Sequence, residues 1–91
     1  LEPNPFINGE FVEQLIEAGV ALVGIDSWNI DDVHDGHRPV HSALLRHGIP
    51  IVENLCHLDQ LSGEAFHFYA APLPIHQGTS VPVRAFAIED E

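Results

Sequence analysis

Lysine is absent from this sequence. Three arginines, Arg38, Arg46 and Arg84, stand against 14 acidic residues, for a formal net charge of −11. Protonating all seven histidines reduces that charge without reversing it. A chain so charged repels phosphate backbones and anionic lipid surfaces, so neither nucleic acid nor membrane is an expected partner, while cations, metals included, are favoured. Cysteine is nearly absent too: Cys56 stands alone, which rules out an intrachain disulfide, suits a reducing compartment and makes a cytoplasmic location the expectation. No apolar run approaches the roughly 18 residues of a membrane-spanning helix, and no basic, apolar leader is expected at its start. Methionine is missing altogether, so residue 1 is not expected to be a translation start, and the chain reads as a processed or cut portion of something longer.

What is present is globular. A composition of 45% hydrophobic and 19% charged residues is too apolar for disorder, and 91 residues suffice for one small domain. After an extended, proline-bearing lead-in, residues 8–19 predict a helix. Asn8 is its N-cap, Glu10 and Glu13 sit at the positive end of its dipole, and Phe11, Val12, Leu15 and Ile16 form its apolar stripe, with Gly19 as the stop. Residues 20–26 form a continuous apolar run ending in Asp26, which predicts a strand buried on both faces. A loop of about a dozen residues rich in Asp, His and Gly follows. Residues 39–48 predict a second helix with Pro39 at its first position and Gly48 at its end, and residues 49–52 a second buried strand. A turn with one helical turn at 58–61 leads to two further strands, at 65–73 and 83–88, before an acidic tail at 89–91. The fold class is therefore α/β: a buried, largely parallel αβαβ unit with a right-handed crossover, followed by two further strands.

Glu53, at the carboxyl end of the second buried strand, lies where open α/β sheets place their ligand crevice. His41, in the first turn of the preceding helix, falls at the same end of the domain, and imidazole and carboxylate both suit Zn or Mn. The alternative is a Glu53 that caps locally beside a helix-surface His41. Two ligands also fall short of the three or four that a stable site needs. Asp31, Asp32, His34, Asp35 and His37 resemble no EF-hand loop and read as a solvated acidic loop. Asp26 and Arg84, both flanking strands, are expected to form a structural ion pair. Trp28, just past the first strand, either lines a pocket or is a core or edge aromatic. Nucleophilic catalysis has little support, since there is no G-x-S-x-G elbow, and no glycine-rich phosphate loop is present.

The order "LVGIDSWNIDD", "RPVHSALLRHGIPIVENLCHLDQL", "FYAAPLPI" and "VPVRAFAI" resembles the C-terminal half of the cyclase family of metal-dependent hydrolases, which includes bacterial kynurenine formamidase and isatin hydrolase. The resemblance runs from about Phe6 to Ile88. Its most specific parts are the histidine, the twelve-residue step to Glu-Asn-Leu, and "PVRAFA". It implies a swivelling β/β/α domain, one or two divalent metals, and His41 and Glu53 as ligands. The family's N-terminal H-x-G-T-H-x-D-x-P-x-H motif, which supplies most of the metal shell and the catalytic base, has no counterpart in residues 1–91. Ser27 and Trp28 replace the Thr and Pro frequent after "GID", a change that alters the substrate pocket they are expected to line.

The resemblance thus implies the C-terminal part of a metal-dependent hydrolase that opens a linear or cyclic amide in a small-molecule substrate, inactive or nearly so alone. The alternative is a non-enzymatic remnant that acts by association, in which case exposed strand edges make a homo-oligomer the expectation. A third reading is an acidic module that buffers metal through its seven histidines, with several weak sites indifferent to the loss of Glu53.

Overall fold

A computed structural model of the chain describes residues 4–77 and 80–89, so Asp90 and Glu91 of the acidic tail lie outside the described residues. It divides at Cys56 into two compact units, and each is described by itself.

In the first unit, helix α1 (Gly9–Glu17) starts as its sequence predicts, with the Asn8 side chain accepting the Phe11 N–H at 2.9 Å. Gly19, at φ 73°, takes the left-handed position that ends the helix. The stripe is narrower than expected: Val12 is buried, whereas Phe11, one residue and about 100° of helix earlier, is exposed. Helix α2 (Pro39–Arg46) carries Pro39 at its start and ends before Gly48, at φ 70°. Between them the apolar run yields only a short strand, β1 (Val23–Gly24), paired in parallel with β2 (Ile51–Val52) in the register Val23↔Ile51 and Gly24↔Val52. The parallel order is as expected. The strand buried on both faces is not, since Gly24 is exposed and the chain leaves the ladder after Ile25, whose N–H bonds to the Val52 carbonyl at 2.9 Å.

The core consists of Val12, Val23, Ile30, Val40, Leu44 and Ile49, with Ile7, Leu15, Ile16 and Ile25 among the side chains packed around it. Ile30 comes from the loop that the sequence marks only as polar. It is fully buried, so that loop is part of the core rather than a solvated excursion. Asp26, by contrast, is exposed, so the desolvation that would demand a partner for it is absent.

In the second unit, a 3₁₀ turn at Leu58–Gln60 precedes an antiparallel hairpin of β3 (Phe66–Pro72) and β4 (Val83–Glu89), in register from Phe66↔Glu89 to Pro72↔Val83. Tyr69 and Phe86 face each other across the strands and stack with centroids 4.9 Å apart, and the Arg84 guanidinium lies 5.8 Å from the Phe86 ring centre. The Glu89 carboxylate accepts the Ser62 N–H at 2.7 Å, closing the turn onto the last strand. Phe66, Tyr69, Val83, Phe86 and Ile88 are exposed, spread over both faces of the ribbon. Among the described residues the fold is thus α/β, with one parallel and one antiparallel pair of strands.

Candidate functional site

Parallel pairing makes β1 and β2 end together, and the first turn of α2 meets them there. Glu53 follows directly on Val52, the loop after Gly24 passes alongside, and His41 enters from the helix. What joins the three is a helix without a cap of its own. Arg38 precedes Pro39 in a left-handed conformation, φ 49° and ψ 57°, and its side chain caps nothing. Two free N–H groups in the first helical turn then need acceptors from elsewhere. Asp31 supplies both: its Oδ1 accepts from Val40 N–H at 2.8 Å and its Oδ2 from His41 N–H at 2.9 Å.

The same Oδ2 lies 2.6 Å from the His41 Nδ1. Across the ring, His41 Nε2 is 3.2 Å from Glu53 Oε2, and that oxygen accepts the Ile30 N–H at 2.7 Å. Asp31, His41 and Glu53 therefore form one line of polar contacts. Its inner end is sealed, with Asp31 2% exposed, and its outer end is open, with 26% of the Glu53 side chain accessible. The loop is pinned as well: buried Asn4 donates to the Asn29 and Asp31 carbonyls at 2.7 and 2.9 Å and accepts from Val33 N–H at 3.2 Å.

The structure brings His41 and Glu53 together as the sequence pairs them. His41 is buried, not a helix-surface residue, and Glu53 also fixes the loop through Ile30. The expectation of a solvated loop fails for Asp31. It holds for Asp32 and Asp35, whose side chains close local turns by accepting from His34 and His37 N–H at 3.0 Å each. Backbone donation from His37, and the His37 ring beside it, hold the Asp35 carboxyl below the ordinary aspartate value. Ser27 is 4% exposed, and its hydroxyl both donates to and accepts from the Asn29 backbone, so it holds the turn. Trp28 is half exposed. Asp26 belongs to the first unit and Arg84 to the second, so their expected ion pair concerns two units described separately.

Asp31 is the member of this line that sequence reasoning left in a solvated loop. The signal for it was present: a helix starting Arg-Pro has no capping side chain of its own, and an acidic loop just before it is the nearest source of an acceptor.

A metal with an imidazole nitrogen at about 2.0–2.1 Å and a carboxylate oxygen at about 2.0–2.2 Å, at an angle between tetrahedral and octahedral, sets the donors roughly 2.8–3.5 Å apart. The observed 3.2 Å falls in that range, and the donor types suit zinc or manganese. The same spacing serves a hydrogen bond from a protonated ring. The set fits in kind and falls short in number, because among the described residues no group of three or more His, Cys, Asp or Glu side chains is arranged to hold a metal ion.

No family model matches the chain. Curated relatives do. The kynurenine formamidase of Bacillus cytotoxicus is 35% identical over 81 residues, 89% of this chain and 38% of that protein. That of Bacillus thuringiensis is 32% identical over the same shares. The kynurenine formamidase of Geobacillus thermodenitrificans is 37% identical over 84 residues, 92% of this chain and 40% of its own length. The resemblance read from the sequence therefore holds: this chain is a homologue of the kynurenine formamidases of the cyclase family, matching them along 89% of its own length and spanning 38% of theirs.

Proposed function

We propose that this chain supplies two ligands, His41 Nε2 and a Glu53 carboxylate oxygen, to the divalent-metal centre of an amide hydrolase of the kynurenine formamidase kind. The observation that carries the proposal is the Asp31–His41–Glu53 line, buried at one end and open at the other, in a chain whose relatives bear that name. When bound, a zinc or manganese ion would activate a water and polarise the carbonyl of a linear or cyclic amide. His41 and Glu53 hold two of its positions. Trp28, exposed on the loop that carries Asp31, offers an aromatic wall to a small-molecule substrate. The remaining ligands and the base that takes the proton lie outside these 91 residues, so the chain alone is expected to have little or no activity. The finer architecture that goes with this reading is a swivelling β/β/α domain to which the parallel unit and the hairpin both belong.

The test is calorimetric titration of Zn²⁺ and Mn²⁺ into the chain, beside His41→Ala and Glu53→Ala. One site abolished by either substitution is the expected result. Several weak sites indifferent to both would instead mark a histidine-rich metal buffer and overturn the proposal. A second reading is favoured by the apolar side chains exposed on both faces of the hairpin: association into a homo-oligomer without catalysis. It predicts a self-associated species in sedimentation and no metal site that depends on Glu53.

A further inference from the structure

We infer that Asp31 is the positioning residue of the His41 ligand: it holds the ring proton on Nδ1 and so leaves Nε2 as a lone pair facing Glu53. The inference rests on the metal reading for its purpose, but its first test does not.

A neutral imidazole has one N–H to give, and here both ring nitrogens face carboxylate oxygens. The two contacts are unequal. Asp31 Oδ2 is 2.6 Å from Nδ1, slightly shorter than the about 2.7–2.9 Å usual for charge-assisted N–H···O bonds, whereas Glu53 Oε2 is 3.2 Å from Nε2. Asp31 is also the more rigid acceptor. Both of its oxygens are fixed by helix N–H groups, its own N–H is held by Asn29 Oδ1 at 2.9 Å, and its carbonyl by Asn4. Glu53 reaches the ring on a longer and more accessible side chain with one backbone anchor. Oδ2 accepts both the backbone N–H and the ring Nδ1 of His41, so one oxygen clamps that residue at two points and sets the orientation of its ring. A metal-ligating histidine almost always has its far nitrogen protonated against an acceptor, and a carboxylate is one of the usual ones. Capping the helix and selecting the tautomer are thus one act of one side chain.

The experiment is a long-range ¹H–¹⁵N correlation spectrum of the His41 ring in the 91-residue chain, free of metal, at a pH where the ring is neutral. The expected result is a protonated Nδ1 and an unprotonated Nε2. In Asp31→Asn the side-chain amide can donate to Nδ1, which moves the ring proton to Nε2. Zn²⁺ affinity in calorimetry should then fall about 10- to 100-fold. Lost capping alone lowers the melting temperature without moving a ring proton, so the spectrum separates the two roles. If Asp31→Asn does not fold, the wild-type spectrum decides by itself. A wild-type ring protonated on Nε2 overturns the inference. So does a folded Asp31→Asn chain with its ring proton moved and zinc affinity equal to wild type. A wild-type chain with the expected tautomer and no zinc binding upholds the tautomer assignment and overturns only the expectation that these two ligands bind metal without the rest of the centre.

Discussion

Glu53 carries two tasks that one pair of substitutions can separate. Its Oε2 accepts the N–H of Ile30, a residue with no exposure, and the same oxygen faces His41 Nε2. Glu53→Ala leaves that buried N–H without a partner, a cost of about 1–3 kcal/mol. For a chain of this size each kcal/mol moves the melting temperature by about 4–8 °C, so the apo protein should melt at least that much lower. Glu53→Gln keeps an oxygen for Ile30 and loses only the charge assistance, about 1 kcal/mol. Toward metal the two substitutions should look alike, since a neutral amide is a poor ligand for a divalent ion. Wild type at a zinc concentration of 100 times Kd should gain about 2.7 kcal/mol, or roughly 10–20 °C, while neither variant gains anything comparable. Thermal melts of the three chains with and without zinc give all six numbers. A Glu53→Gln chain that gains as much from zinc as wild type would refute the ligand role. A Glu53→Ala chain as stable as wild type without metal would refute the loop-anchoring role.

Two other predictions stand on the same structure. Leu44 is fully buried at the centre of the core, so Leu44→Ala should cost about 2–5 kcal/mol, enough to unfold a marginal domain, as circular dichroism in urea would show. The Asp35 carboxyl should titrate below an ordinary aspartate in an NMR pH series, with the difference lost in the unfolded chain. Because its folded value is depressed, its contribution to stability is present above the ordinary aspartate range and lost as pH falls through the depressed value. Its carboxylate is partly accessible to solvent, which keeps that contribution small.

Local rules made much of the fold legible. Asn8 and Gly19 bracket the first helix, Pro39 and Gly48 the second, and the alternation around Tyr69 and Phe86 marks the hairpin. The parallel pair followed from helix-sized spacing between two apolar runs. What stayed hidden depends on contacts distant in sequence. Ile30 enters the core and Asp31 leaves solvent only because Asn4, far upstream, and the bare start of α2 hold them there. No periodicity inside residues 26–38 reports that. The apolar run to Asp26 likewise showed apolar content but not how few of its residues would find a ladder partner. His41 and Glu53 were legible as a pair because strand end and helix start are fixed by topology; the residue that contacts His41 from its other side was not, since its place is set by a missing cap.

Borrowing its cap from a loop has a consequence for how the first turn of α2 opens. Helix ends ordinarily fray, and their amides exchange with solvent independently of distant structure. Here the Val40 and His41 amides are bonded to a carboxylate whose own backbone is tied to Asn4 and Asn29. They are expected to exchange when the loop lets go, together with the Ile30 amide on Glu53, as one cooperative opening rather than three separate ones. The start of the helix, the loop and the strand end should thus share one protection level in amide exchange, and whatever stabilises any of them should slow exchange at all three.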